Sequence, residues 1–167
     1  MGSDRHIITS HEHSKASRAM TDLDDIYNTR ILELAASIPH ITRLEHPQAT
    51  AAARSKLCGS EVTVDVSMAD GRISDYGQSV KACLLGQAAA SVMGREIIGS
   101  TPDEVREVAA AMRAMLKQGG SPPEGKWADL RVLEPVRDYK HRHDAVMIVF
   151  DAVAKALADI EAKAQAA

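Results

Sequence analysis

Two cysteines are the residues in this chain best suited to covalent or metal chemistry. Cys58 stands in Leu57-Cys58-Gly59-Ser60 and Cys83 in Lys81-Ala82-Cys83-Leu84, 25 positions apart. A thiolate is both a nucleophile and a ligand for soft metals, so two thiols brought together could bind a metal, exchange a disulfide or relay sulfur. The plainer alternative is that each is a small buried apolar side chain. Their spacing alone is far less specific than a pair of CxxC knuckles. A second group is the run Lys140-His141-Arg142-His143-Asp144. It offers imidazole, guanidinium and carboxylate groups that could supply a ligand or dock an anion, or simply form a solvated first helical turn. His11-Glu12-His13 could bind a metal loosely. No Gly-x-Ser-x-Gly, Walker loop or HExxH motif occurs, so hydrolase, P-loop and zincin readings gain no support.

The elements that must position these groups follow from periodicity. Val62, Val64, Val66 and Met68 alternate with Glu61, Thr63, Asp65 and Ser67, which fits a strand with one buried and one wet face. Ala69-Asp70-Gly71 is a hairpin turn signal, and a return strand runs from about Arg72 to Ala82. The broken alternation around Tyr76-Gly77 predicts a bulge there. A hairpin of this kind carries its two chain ends to one edge of the sheet, so Cys58 and Cys83 could be near neighbours by topology. Leu85, Ala88, Ala89, Val92, Met93 and Ile97 then form a helical stripe, with small residues that allow close packing. Cys83 therefore falls at a helix N-terminus, where free N–H groups and the positive end of the dipole favour a thiolate. Lys81 is nearby.

The other helices are equally readable. Leu23, Ile26, Tyr27, Ile31, Leu34 and Ile38 recur at helical spacing behind Asp22, Asp24 and Asp25, and Pro39 ends that helix. Residues 40–57 carry a turn at Glu45-His46-Pro47 and an Ala-rich stretch without a clear assignment. Thr101-Pro102-Asp103-Glu104 starts a helix with a capping box. Met112 and Met115 belong to its core face. A short amphipathic piece, Trp127 to Leu133, precedes Pro135, and a last helix runs from about His141. The order is an N-terminal helix, a small antiparallel β-sheet, then helices packed on one face, an α+β domain over residues 21–165. Residues 1–20 lack apolar periodicity and read as a disordered tail.

The stretch from Cys58 to Met93, CGSEVTVDVSMADGRISDYGQSVKACLLGQAAASVM, resembles the IscU/NifU-type iron–sulfur cluster assembly scaffolds. These carry a Cys-Gly-Asp before a strand, a hairpin, and a Gly-Cys-Ala-Ile-Ser entering a small-residue helix. The later stretch ADLRVLEPVRDYKHRHDAVMIVFDAV is similar to the end of the SufU branch. The resemblance covers about residues 22–162 and implies a SufE/NifU-like fold. It also implies three cysteines and an aspartate holding a nascent cluster or a zinc ion, with sulfur supplied by a cysteine desulfurase. Cys58 and Cys83 match the first two cysteines, and Arg142 matches an arginine just ahead of the third. Ser60 stands at the aspartate position and Ala145 at the third cysteine, so two of four ligands are missing. Asp144, His143 or His141 could substitute from the same helix start. Two chains could also share a cluster through four thiolates. Sulfur could instead pass through a persulfide on Cys83 or Cys58, with the other thiol resolving it. Cys83 is the candidate acceptor.

The resemblance thus implies a scaffold or sulfur acceptor, more a carrier than an enzyme, that binds iron, a transient iron–sulfur cluster or zinc. The alternatives are a degenerate scaffold that binds a desulfurase as an adaptor without metal, and a zinc-dependent sulfurtransferase. Composition agrees on class. The chain has 167 residues, enough for one domain, with 45% hydrophobic residues and a formal net charge of −3. Mild acidity and 3% aromatics argue against nucleic-acid binding. No apolar run approaches the roughly 18 residues of a membrane span. Two cysteines and no signal-peptide pattern point to a reducing, cytoplasmic setting.

Overall fold

The computed structural model describes residues 27–166. The His11-Glu12-His13 group, the three aspartates at 22–25 and the expected tail lie outside them. Three antiparallel strands, β1 (Ala49–Arg54), β2 (Glu61–Ala69) and β3 (Arg72–Lys81), pair in the order β1-β2-β3. The helices are α1 (Thr29–Ala36), α2 (Leu84–Glu96), α3 (Pro102–Gln118) and α4 (His143–Ala166). Between α3 and α4 lie a long 3-10 stretch, Gly125–Asp138, and a short one, Lys140–Arg142. The α+β class is as expected.

The central hairpin forms where the alternation places it. Val62, Val64 and Val66 are fully buried, and Ala69 pairs with Arg72 across the turn. Asp70 and Gly71 both take positive φ, 54° and 76°, the geometry whose twist matches paired strands. The register shift lies between Ser67 and Met68, opposite Ile73 to Asp75, and not at Tyr76-Gly77. Those two pair regularly with Val66 and Asp65. Their alternation breaks for another reason: the coil after α1 runs along β3. The Gln78 N–H donates to the His40 carbonyl at 2.8 Å, and a Cβ on Gly77 would stand 2.5 Å from the Thr42 oxygen.

That coil also explains Asp65, which the alternation placed on the wet face and which is fully buried. Its carboxylate accepts from Arg43 Nε at 2.6 Å, from the Leu44 N–H at 3.0 Å and from Thr50 Oγ1. Burial pushes the carboxyl pKa up, but the Arg43 guanidinium and the other two donors outweigh it and hold the group below the usual range. Beneath it, the Tyr76 hydroxyl donates to Gln78 Oε1, and Gln78 Nε2 donates to the Pro39 and Ala90 carbonyls. One buried network thus ties coil, sheet and α2 together.

The sequence carries no strand signal over β1. ATAAAR lacks the β-branched alternation of a strand, and Ala is depleted in strands. It forms because it pairs with β2 from Ala49↔Val66 to Arg54↔Glu61. The first helix ends at Ser37, ahead of Pro39. Thr101 and Glu104 form the expected capping box, and Met112 and Met115 are fully buried. The last helix starts at His143, after the 3-10 turn. Helix α4 packs on β1 and β2, and α2 packs on β3, α1 and α4. The 3-10 stretch seals α2 and α3 with Trp127, Leu130, Leu133 and Val136.

Candidate functional site

The register brings both cysteine segments to one end of the sheet. Arg54 pairs with Glu61, and Glu61 pairs with Lys81. The β1–β2 turn that carries Cys58 and the Ala82-Cys83 exit from β3 therefore share a rim. The turn is closed by the Ser55 N–H donating to the Ser60 carbonyl at 2.8 Å and the Gly59 N–H to the Ser55 carbonyl at 3.0 Å. Gly59 takes φ +70°, a conformation that suits glycine and explains its place beside the cysteine. Both cysteines are free thiols; Cys58 is exposed and Cys83 half-buried against the core.

The surroundings of Cys58 favour the thiolate. The Ser60 hydroxyl stands 3.0 Å from the sulfur. The Ser55 hydroxyl is buried and has no regular hydrogen-bond partner among the described residues, so its proton is available to the nearby sulfur. Ser55, then the Ser60 side chain and N–H, then the charge of Arg142 hold the Cys58 thiol below the usual cysteine range, against a burial penalty. The Ser60 contact has regular geometry and the Ser55 approach does not, so Ser60 is the firmer donor. Ser55 was missed in the sequence; its only signal was a small hydroxyl residue three positions before Cys58.

Cys83 is the N-cap residue of α2, as its sequence context predicts, but its side chain makes no capping hydrogen bond. Its carbonyl accepts from the Gln87 N–H. The start of α2 meets the start of α4 closely: a Cβ on Gly86 would lie 2.8 Å from Ala82 Cβ and 2.9 Å from the Ala145 oxygen. Ala145 is therefore placed beside the entry to α2, and Arg142 within electrostatic reach of Cys58.

The candidate substitute ligands stand differently. His143 is buried, and its Nε2 lies 3.1 Å from the Val136 and Arg137 carbonyls. Two carbonyl neighbours require an N–H there, so that nitrogen ties α4 to the 3-10 stretch. Asp144 is exposed in the first turn of α4. Among the described residues, no three His, Cys, Asp or Glu side chains are grouped to hold a metal ion. Cys58 and Cys83 are thus not joined by Asp144 or His143 in a ready-made set. A cavity of about 570 Å³ between α3 and the 3-10 stretch is lined by Arg72, Glu104 and Trp127, and neither cysteine borders it.

No family model matches the chain. A curated relative, the iron–sulfur cluster assembly scaffold protein IscU of Thermotoga maritima, is 24% identical over 135 residues, 81% of this chain and 94% of its own. The crystal structure of a nitrogen-fixing NifU-like protein (N-terminal) from Brucella abortus is 52% identical. It covers 85% of this chain and 99% of its own at a TM-score of 0.84. A protein from Fervidobacterium islandicum, described as a cluster assembly scaffold for the SUF system, shares the fold at 22% identity and a TM-score of 0.72. That match covers 80% of this chain and 98% of the other.

Proposed function

This chain belongs to the IscU/NifU-type family of iron–sulfur cluster assembly scaffolds, and we propose that it accepts sulfur from a cysteine desulfurase and holds iron or a nascent cluster through Cys58 and Cys83. The observation that carries this reading is the shared rim, which carries two free thiols, one of them beside hydroxyl donors. A general role in iron–sulfur cluster assembly, among other assembly factors, follows from membership. The identity of the sulfur donor and the ligand roles are our reading.

Sequence context favoured Cys83 as the sulfur acceptor; exposure and hydroxyl donors favour Cys58. In that reading the Cys58 thiolate attacks the outer sulfur of a desulfurase persulfide. The new S–S bond forms at Cys58, the old one breaks, and the desulfurase cysteine leaves as thiolate. The transferred sulfur keeps its oxidation state, so no outside oxidant is needed. The Ser60 and Ser55 hydroxyls favour the anionic form of the attacking sulfur. Arg142 stabilises anionic sulfur or meets the desulfurase. Cys83 serves as resolving thiol or co-ligand, and Asp144 is the exposed carboxylate nearest in sequence to Arg142. Thiol chemistry of this kind suits a reducing cytoplasm. No helix among the described residues is long and apolar enough to cross a membrane.

A second reading has its own observation. By the resemblance, Ser60 and Ala145 stand at two family ligand positions, and among the described residues no group of three His, Cys, Asp or Glu side chains could hold a metal ion. A metal-free adaptor that binds the desulfurase would fit that loss, and a zinc-dependent sulfurtransferase would need zinc on the two thiols. Desulfurase turnover with free cysteine, followed by intact-protein mass spectrometry, separates the three. The expected result is one added sulfur on the wild type, lost in Cys58→Ser and kept in Cys83→Ser. Desulfurase binding without sulfur, iron or zinc would establish the adaptor instead. Sulfur addition that requires zinc would establish the sulfurtransferase.

A further inference from the structure

We infer that the cavity between α3 and the 3-10 stretch is a docking site for a partner polypeptide, which enters it with a lysine or arginine side chain and a neighbouring peptide carbonyl. The site stands apart from the thiol chemistry. It is bordered by Arg72 and Gly99, at the hairpin-turn end of the sheet, whereas the cysteine segments leave the sheet at its other end. Helix α2 runs from Cys83 toward this cavity, and its 13 residues span about 20 Å. A partner seated there leaves both thiols free.

Charge selects the ligand. The two cations of the cavity are already engaged. Arg72 Nη1 donates to the Gly99 carbonyl at 2.7 Å and Lys126 Nζ to the Ser100 hydroxyl at 2.6 Å, and the Glu104 carboxylate stands 3.9 and 4.0 Å from them. Glu107 and Glu124 are exposed, and among the described residues their carboxylates have no hydrogen bond or ion pair. Beside them the wall is apolar, from Val108, Ala111 and Pro123. A basic side chain answers both features: its methylene stem covers apolar surface while its head meets a carboxylate.

Trp127 points to the same ligand independently of charge. It is 7% exposed, and a buried indole N–H ordinarily finds an acceptor. This one has none among the described residues. The one sealed side-chain atom without a partner there is Ser55 Oγ, so the indole nitrogen is open to a ligand, and Trp127 borders the cavity. Lys126 covers the ring at 5.5 Å but is a donor itself. A peptide carbonyl supplies the missing acceptor without adding charge. A free amino acid would instead bring a carboxylate against Glu107 and Glu124, with both cations taken.

Trp127 is the only tryptophan in the chain, so its emission reads the cavity directly. The test titrates the full-length chain with acetyl-Ala-Ala-Arg-Ala-Ala-amide and follows emission and calorimetric heat. Saturable binding is expected, weaker at high salt. The peptide with norleucine in place of arginine, and free arginine, should each bind at least several-fold more weakly. Glu107→Gln combined with Glu124→Gln should weaken binding several-fold, as should Trp127→Phe read by calorimetry. Far-ultraviolet circular dichroism confirms that each variant is folded. Absence of saturable binding at millimolar peptide would overturn the inference. So would equal binding of the norleucine peptide or of free arginine, or undiminished binding by the Glu107 and Glu124 double variant. Emission that varies with chain concentration before peptide is added would give the cavity to a second copy. Binding that emerges only with Arg5→Ala, Lys15→Ala and Arg18→Ala together would give it to the N-terminal segment of this chain. Either result would overturn the partner polypeptide.

Discussion

Cys58 owes its predicted reactivity to two serines and one arginine, none of which is a metal ligand. Ser60, two positions after the cysteine, directs a hydroxyl to sulfur at 3.0 Å. A carboxylate there would repel a thiolate; a hydroxyl donates to it. Ser60 therefore acts on the sulfur as a donor that favours the anion. A hydrogen bond to the charged form favours it, so removing one should raise the thiol pKa. Iodoacetamide labelling of Cys58 at neutral pH should slow roughly 3- to 10-fold in Ser60→Ala, and the pH–rate midpoint should move upward. Ser55→Ala should act in the same direction, with a smaller effect if its irregular approach is the weaker donor. An unchanged midpoint in both variants would remove the serines from any role at the thiol.

Helix α2 and the coil over β3 are the elements that hold the rim in place. Gly86 lets the first turn of α2 approach α4, with Ala82 Cβ and the Ala145 oxygen at the limit of contact. One obstacle is backbone, so Gly86→Val must displace an element. It should destabilise the fold by about 1–3 kcal/mol, and it should disturb Cys83 chemistry more than Cys58 labelling. Chemical denaturation and thiol-specific mass labelling would measure the two effects. Asp65 fastens the coil from the other face. Asp65→Ala strands the Leu44 N–H and the Thr50 hydroxyl, at a cost of about 2 kcal/mol or more. The carboxyl pKa is lowered in the fold, so its contribution is fully present above the unfolded value of about 3.9 and disappears as pH falls through the folded value. Wild-type stability should therefore fall in acid more steeply than that of Asp65→Asn, as read by urea midpoints between neutral pH and pH 3.

The whole molecule is acidic, with a formal net charge of −3, yet Lys56 and Lys81 are exposed on the segments that form its thiol rim, and Arg142 lies within electrostatic reach of Cys58. Such an asymmetry steers an acidic partner to the rim and leaves the rest of the surface unattractive to it. In the proposed reaction, the association rate with the desulfurase should fall several-fold between low and physiological salt. Charge reversal at Lys56 should lower that rate and flatten its salt dependence. Stopped-flow binding at several ionic strengths checks both. A salt-independent rate would point to a contact made by Leu57 and Leu84 alone.

Local pattern settled much of this protein. The alternation of Val62 to Met68, the Asp70-Gly71 turn, the Thr101 capping box and the small-residue start of α2 each encode their own geometry within a few positions. From them follows the sharing of a rim by Cys58 and Cys83, because antiparallel register leaves little choice. What local pattern could not contain were relations between segments distant along the chain. Strand β1 exists through its pairing with β2, against the preference of its alanines. Asp65 is buried because Arg43, Leu44 and Thr50 come to it. The shift in register falls at Ser67, while a passing coil disturbs Tyr76 and Gly77. At the site, His143 is claimed by two carbonyls, and a turn closed on Ser60 brings Ser55 near the sulfur. Periodicity records which face of an element is apolar; which polar groups meet across elements is fixed when the chain closes around them.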